Sequence, residues 1–394
     1  MSDSGSLFND DDLFGSSEPV VRETRQSEPE RAPYAARYSN SRIKPISLDG
    51  LNPMQREAAE HVNGPLLVVA GAGSGKTRVL THRIAHLISN HGVSPMNVLA
   101  ITFTNKAAGE MKHRVESLIG PVAKSMWVST FHSACVRILR VHAERIGYPK
   151  TFSIYDQADA QRLTGYVIRD MGLDVKRFTP RAVHAVISNW KNELVSPTQA
   201  AERAAHIFDR KHSEIYREYQ ERLLKAGAMD FDDLLVNVVR LFRMHTDVLA
   251  SYQDRFKYIL VDEYQDTNIC QYLWLKLLAQ GSHNICVVGD DDQSIYGWRG
   301  AEVDNILRFE KEFSGAKVIK LERNYRSTEH ILGAASGLIS TNKSRLGKTL
   351  WTEDMGGHKV TVTGVWDAAA EARLISSVIE DWKKDGRGYN EVAI

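Results

Sequence analysis

The apolar run Leu67-Val68-Val69-Ala70 passes directly into Gly71-Ala72-Gly73-Ser74-Gly75 and then Lys76-Thr77. No other stretch of the chain limits its fold so tightly. Residues this small let successive backbone N–H groups converge on a polyphosphate, and the N-terminus of a following helix adds its own orphan donors. Val79, Leu80, Ile84, Leu87 and Ile88 recur at helical spacing after the loop, so the spacing predicts a strand, a loop and a helix. In that setting Lys76 would reach the β- and γ-phosphates and the Thr77 hydroxyl would hold Mg²⁺. The usual pattern starts on Gly where this chain has Ala70. The departure is tolerable because Gly73 and Gly75 remain where the backbone must come closest. Residues 70–77 are read as a nucleoside triphosphate loop.

A chain of 394 residues is long enough for two or three domains with sizeable cores. Its 43% apolar and 25% charged content is that of an ordinary globular protein. The formal charge of +1 does not itself point to nucleic acid, yet it permits a local basic groove. Cys135, Cys270 and Cys286 are too scattered for a zinc spacing or a disulfide framework and fit small core residues in a reducing compartment. No apolar run approaches membrane-spanning length, and the acidic start has no signal-peptide core. The expected location is cytoplasmic, without a membrane partner.

Residues 1–45, rich in Ser, Asp, Glu, Arg and Pro, read as a disordered acidic tail. Its two Leu-Phe pairs, Leu7-Phe8 and Leu13-Phe14, flank three aspartates and could be a short docking peptide, against the competing and favoured reading of an idle tail. From Leu51 onward short apolar runs alternate with helical segments, the signature of a parallel α/β sheet. The runs are 66–70, 98–103, 126–130, 258–262, 285–289 and 318–321. Strand signals vanish over 149–227, which reads as an all-helical insertion. A second alternation starts near 317, with helices expected at 329–339 and 368–382, a strand at 359–365, and another opening at 391–394. A sheet that stops mid-strand suggests the front half of something longer.

Two further clusters carry chemistry. Tyr258-Ile259-Leu260-Val261 ends in Asp262 and Glu263. Beside a phosphate loop, Asp262 could hold Mg²⁺ through water, and Glu263 could orient or deprotonate an attacking water. The second cluster runs from Val287 to Gly300 and holds Gln293, Tyr296, Trp298 and Arg299. Gln293 can donate and accept, which suits sensing a γ-phosphate and its water. Aromatic and guanidinium faces stack on unpaired bases at about 1–3 kcal/mol each. A few residues of extended chain reach roughly 10–18 Å, so one loop could touch a nucleotide and a base.

With these blocks in view, the chain resembles the UvrD/Rep/PcrA family of superfamily I DNA helicases. The matching segments are Leu51–Gln55, Ala70–Thr77, Ile101–Ala108, Ser129–Ser133, Phe231–Leu234, Val261–Asp266, Gly289–Ala301 and Asn324–Ser327. The resemblance implies a RecA-like P-loop fold, with a first domain over 46–148 and 228–316, the insertion over 149–227, and an incomplete second RecA-like domain over 317–394. It implies that Gln55 bonds the adenine edge, that Tyr325 stacks on the adenine, and that Arg78 helps frame the nucleotide. Arg326 would be an arginine finger from the second domain, drawn toward Lys76 and Glu263 when ATP binds. Phe103, Phe231, Tyr296 and Trp298 would form base-stacking pockets on single-stranded DNA, with His132 and Arg299 as DNA or relay contacts. Ala70, Gly71, Ala72, Gly73, Ser74, Gly75, Lys76 and Thr77 complete the ATP site, with Thr77 and Asp262 toward Mg²⁺.

The implied activity is ATP-driven 3′-to-5′ movement on single-stranded DNA and at single-strand/duplex junctions, in repair or replication, with a repair or replication protein as the partner a docking peptide in the tail would take. Arg323 stands where this family commonly has Gln, Trp190 where a smaller apolar residue is expected, and the family's later motifs have no counterpart here. Two other readings stay open: a translocase that hydrolyses ATP without separating strands, and a piece that binds ATP or DNA without turnover. An RNA helicase is a further alternative. A nuclease is disfavoured, because no carboxylate cluster beyond the ATP site suggests a second metal centre.

Overall fold

The computed structural model describes residues 43–297, 300–343 and 345–394. The expected tail falls almost wholly outside these residues, as do Trp298 and Arg299. Eight strands are present among the described residues: β1 (Leu66–Ala70), β2 (Val98–Thr102), β3 (Trp127–Thr130), β4 (Ser153–Tyr155), β5 (Ala228–Asp230), β6 (Tyr258–Val261), β7 (Ile285–Gly289) and β8 (Lys317–Leu321). Six of them form one sheet in the order β3-β2-β6-β7-β1-β8, every pairing parallel.

Parallel strands need crossovers, and here helices such as Lys76–Ser89, Asn105–Ile119 and Ile269–Ala279 supply them. Helices on both faces bury both faces of the sheet, so its central strands read as unbroken apolar runs rather than alternations. The two sides of β1 show the split. Leu66, Val68 and Ala70 join Val79, Leu80 and Ile84 in one core, while Leu67 and Val69 join Leu99, Ile101, Val261 and Val287 in the other.

Between β3 and β6 the chain builds a separate helical cluster, with its own core of Val167, Ile168, Val183, Ile187, Ile215, Tyr219 and Leu223. Trp190 packs there, stacked on Tyr216 at 5.9 Å between ring centroids. This segment is not wholly helical. β4 and β5 pair in parallel over three residues, too short to leave a periodicity in the sequence. The cluster is pinned to the main body by a buried charge. Lys191 Nζ, with a side chain 1% exposed, lies 2.7 Å from Asp230 and 2.8 Å from Asp233. The Tyr219 hydroxyl donates to the same Asp230 oxygen at 2.8 Å. Asp230 and Asp233 also form the capping box of helix Phe231–Met244.

Two differences from the sequence reading concern the second half. The sequence places 317–321 in the second domain, but β8 is hydrogen-bonded along the whole of β1, in the first sheet. The strand expected at 359–365 does not form. Val360, Val362 and Val365 are 51%, 92% and 42% exposed, with no neighbouring strand among the described residues to complete a ladder. Residues 391–394 likewise contain no strand. The chain divides into a large unit, 1–326 with 342–351, and a small one, 327–341 with 352–394. The small unit holds helices Glu329–Ile339 and Ala368–Lys384.

Removing Lys191 would strand two buried carboxylates. Lys191→Met is expected to cost about 3–5 kcal/mol, whereas Arg56→Ala, which breaks an exposed pair with Asp49, should cost less than about 1 kcal/mol. Urea unfolding of the two variants checks the contrast.

Candidate nucleotide site and nucleic-acid face

Parallel strands all end at the same edge of the sheet, and ligands of open α/β sheets bind outside those carboxyl ends. Each motif singled out above leaves that edge or sits beside it. The phosphate loop follows β1, Phe103 follows β2, His132 follows β3, Asp262 and Glu263 follow β6, Gln293 and Tyr296 follow β7, and Tyr325 and Arg326 follow β8.

In the loop, Gly73 and Gly75 adopt φ of +69° and +89°, a region that side chains disfavour. Added Cβ atoms would also collide. At Gly73 one would lie 2.6 Å from Arg326 Cβ, and at Gly75 one would lie 2.7 Å from Gln55 Nε2. Ser74 folds the loop back by donating from its hydroxyl to the Gly71 carbonyl at 2.7 Å. Gln55 is buried against the loop, donating from Nε2 to the Ser74 carbonyl at 2.9 Å and accepting from Asn52 N at 3.2 Å. Arg78 donates from its guanidinium to the Gly50 carbonyl at 2.9 Å.

Lys76 Nζ lies 3.1 Å from Glu263 Oε2. Glu263 has φ 52° and ψ 45°, a left-handed backbone costing roughly 1–3 kcal/mol for a non-glycine residue. Asp262 beside it is 8% exposed. Burial, and then the neighbouring Glu263, push its carboxyl up to about 6, against the opposing pull of Lys76. Gln265, a residue given no role from the sequence, is 1% exposed and bridges two loops. Its Nε2 donates to Glu263 Oε2 at 2.8 Å, and its Oε1 accepts from Asp290 N at 2.9 Å. Gln293 is held within its own loop, its side-chain amide donating to Asp290.

Tyr325 and Arg326 sit on the loop as well. Tyr325 N donates to the Gly73 carbonyl at 2.9 Å, and Asn324 Nδ2 donates to the Ala72 carbonyl at 2.6 Å. The Tyr325 hydroxyl accepts from Asn52 Nδ2 at 2.8 Å, while its ring is half exposed. Arg323 lies with its guanidinium 4.9 Å from the centre of the Tyr325 ring and 5.5 Å from that of Trp351. Arg326 therefore follows a strand of the same sheet that carries Lys76, rather than arising from a second domain as the sequence reading expects.

The segment 342–351 returns to this unit as a strap. Leu350 packs at Gly71, where an added Cβ would run into the leucine methyls, and Trp351 O accepts from Asn324 N at 2.8 Å. Lys348 Nζ is buried 2.6, 2.7 and 2.6 Å from carboxylate oxygens of Asp290, Asp291 and Asp292. These three acids are grouped closely enough to hold a metal, but the ammonium occupies that position. Arg345 adds a two-pronged contact to Asp292 at 2.6 and 2.7 Å. Burial works to raise the Asp292 carboxyl, yet the hydrogen bonds from Arg345 and Lys348 outweigh it and hold it below the ordinary carboxylate range.

Four of the six expected DNA contacts are brought together around one cavity of about 580 Å³ (Phe103, His132, Phe231 and Tyr296). The Phe103 and Tyr296 rings lie 5.0 Å apart, tilted by 32°, and His132 meets Phe231 edge-on at 5.9 Å. Residues of the insertion, Tyr155, Arg181 and His184 among them, also line it. Burial lowers the His132 imidazole. Burial, and then Asp230, push Asp232 on the cavity wall up to about 7.

A family model described as the UvrD/REP helicase N-terminal domain matches residues 51–314, and one described as the UvrD-like helicase C-terminal domain matches 319–394, beginning inside β8. The chain is 50% identical to the ATP-dependent DNA helicase PcrA of Bacillus subtilis over 348 residues, 88% of this chain and 47% of that protein. It is 49% identical to the PcrA of Staphylococcus aureus strain Mu50 over 347 residues, 88% of this chain and 48% of that protein. The chain thus spans about half the length of the curated relatives it matches.

Lys348→Met would leave three carboxylates facing one another. Their repulsion raises the folded-state values above the unfolded ones, so stability should return as pH falls. The expected loss is about 3–5 kcal/mol at about pH 8, narrowing toward about pH 5. Urea unfolding at the two pH values measures it.

Proposed function

Because this chain belongs to the UvrD/REP helicase family, we propose that it is the ATP-hydrolysing, strand-gripping core of a DNA helicase. The observation that carries the reading is the run of hydrogen bonds Glu263–Gln265–Asp290. It joins the carboxylate beside Lys76 to the loop that bears Tyr296, on the wall of the aromatic cavity. A change at the nucleotide can therefore reach the grip on a base through packed, directional contacts.

In this reading the triphosphate lies along 71–76, with backbone N–H groups and Lys76 meeting its oxygens. Thr77 and Asp262 offer the hard oxygen donors that suit Mg²⁺, and the raised Asp262 carboxyl is a negative charge that such a cation would compensate. The ion supplies charge neutralisation at the phosphate oxygens. Glu263 orients the attacking water and takes its proton, Arg326 stabilises charge on the transferring phosphoryl group, and Gln293 senses it. Tyr325 stacks on the adenine, and Gln55 and Arg78 frame the nucleotide. Bare bases stack on Phe103, Tyr296 and Phe231, beside His132. The relatives' name, ATP-dependent DNA helicase, supports strand separation as the output. Movement 3′-to-5′ into a duplex junction, service in repair or replication, and a cytoplasmic location complete the proposal.

ATPase assays with and without single-stranded DNA test it. Lys76→Ala should weaken both nucleotide binding and turnover. Glu263→Gln should keep nucleotide affinity while turnover falls about 10²–10⁴-fold; normal hydrolysis by this variant would remove the role given to Glu263. Gln265→Ala should lower the factor by which the strand stimulates hydrolysis by about fivefold or more, a ratio that loss of active protein does not move. A wild-type rate indifferent to the strand would end the motor reading. Release of the short strand from a tailed duplex separates a helicase from a translocase that leaves duplexes intact.

A further inference from the structure

We propose that the outer edge of β3 holds a phosphodiester site, which takes the backbone of the single strand as it runs out of the aromatic cavity. The proposal rests on the reading that a bare strand occupies that cavity. β3 is the last strand of the sheet and pairs only with β2 among the described residues. At this edge lies a second cavity, of about 380 Å³, lined by Lys112, Lys124, Arg137, Ser125, Ser129 and Ser133 among others, with no Asp or Glu in its wall. In a chain whose formal charge is only +1, three cations around one cavity without an acid are a local concentration of positive charge.

The details favour an anion with several oxygens. Arg137 is fixed with its guanidinium 4.1 Å from the centre of the Trp127 ring, and Arg255 lies 5.0 Å from the same ring. Two guanidinium groups against one indole repel each other, which contributes, after burial, to lowering Arg255. An anion held by Arg137 would relieve that repulsion. Ser129 lines this cavity, and its hydroxyl is shielded from solvent and has no hydrogen-bond partner, a polar group left unsatisfied at the site. Lys124 also reaches Glu116 at 3.2 Å, an exposed pair that salt screens. The Trp127 ring is buried and covered by Arg137, so the cavity presents charge and hydroxyls rather than an open face for a base.

Position identifies the ligand. Ser133 lines this cavity, and its neighbour His132 lines the aromatic one. Both project from the turn at the carboxyl end of β3, where Thr130 caps the helix Phe131–His142. The two cavities flank one turn, so a strand whose bases stack on Phe231 and His132 has its next phosphates beside Ser133 and Arg137. A sugar-phosphate backbone carries one negative charge per nucleotide and matches this lining.

The test measures binding of labelled oligothymidylates of increasing length, across salt from about 50 to 200 mM, to wild type, Lys112→Gln, Lys112→Gln with Lys124→Gln, and Arg137→Ala. The two lysine variants remove charge without touching the Trp127 packing. For strands long enough to pass the turn, each lost phosphate contact should lower the slope of log K against log salt by about 0.7. Strands short enough to occupy only the aromatic cavity should bind every variant as they bind wild type. Wild-type slopes for all variants at every length would overturn the site, as would an equal loss on short and long strands. Wild-type protein that binds no strand at all would overturn the underlying single-strand reading with it, which keeps the two failures distinct.

Discussion

The parallel ladder of the six-stranded sheet is the constraint on which the rest depends. A parallel strand cannot be reached by a hairpin, so after each strand the chain must cross a face and start again from the same end. Every loop that leaves a strand in the working direction is thereby delivered to one edge. β1 lies between β7 and β8, and β6 lies beyond β7. That order sets the phosphate loop, the two carboxylates, the Gln293 loop and the Asn324–Arg326 segment around a common centre, although they are far apart in the chain. The phosphate loop itself only has to be small enough for others to approach. Gln55, Asn324, Arg326 and Leu350 all pack where its residues lack side chains.

Charge buried in this body fastens elements that apolar packing alone would leave free to slide. Lys191 fixes the helical insertion against the start of helix Phe231–Met244, through Asp230 and Asp233. Lys348 and Arg345 fix the returning strap to the loop after β7. Both clusters demand particular geometry, since an ammonium out of place by an ångström leaves carboxylates uncompensated in a poor solvent for charge. Each therefore sets position more than it adds net stability. Gln265 plays the neutral counterpart, a single amide satisfied at both ends by groups from two different loops.

Much of this was legible in the chain. The six long strands lie within a residue of the apolar runs, because strands buried on both faces have nowhere to put polar residues. The small-residue loop after β1 was legible because only small residues let other backbone and side chains approach so closely. Phe103, His132, Phe231 and Tyr296 stood out because of the motifs around them, which is why their meeting at one cavity could be looked for. The lost features share a physical cause: they depend on partners distant in sequence. No local pattern says that 317–321 pairs with β1. Lys191 on an amphipathic helix reads as a solvated lysine, and Lys348 sits in a stretch without periodicity. Gln265 and Asn324 lie inside recognised motifs, but their bonds run to other loops. The run at 359–365 failed in the opposite sense, since its valines have strand preference and no neighbouring strand among the described residues to pair with. Arg323, a departure with no assigned contact, proves to lie against the rings of Tyr325 and Trp351.

The left-handed backbone at Glu263 carries a consequence for how this protein could be improved. Glycine at that position would adopt the same dihedral angles without steric penalty, and it would erase the carboxylate in the same stroke. Robustness and chemistry thus pull against each other at one residue. A search that rewards heat resistance alone would be drawn to delete the very carboxylate proposed to activate water, so any stabilised version must find its gains elsewhere in the fold.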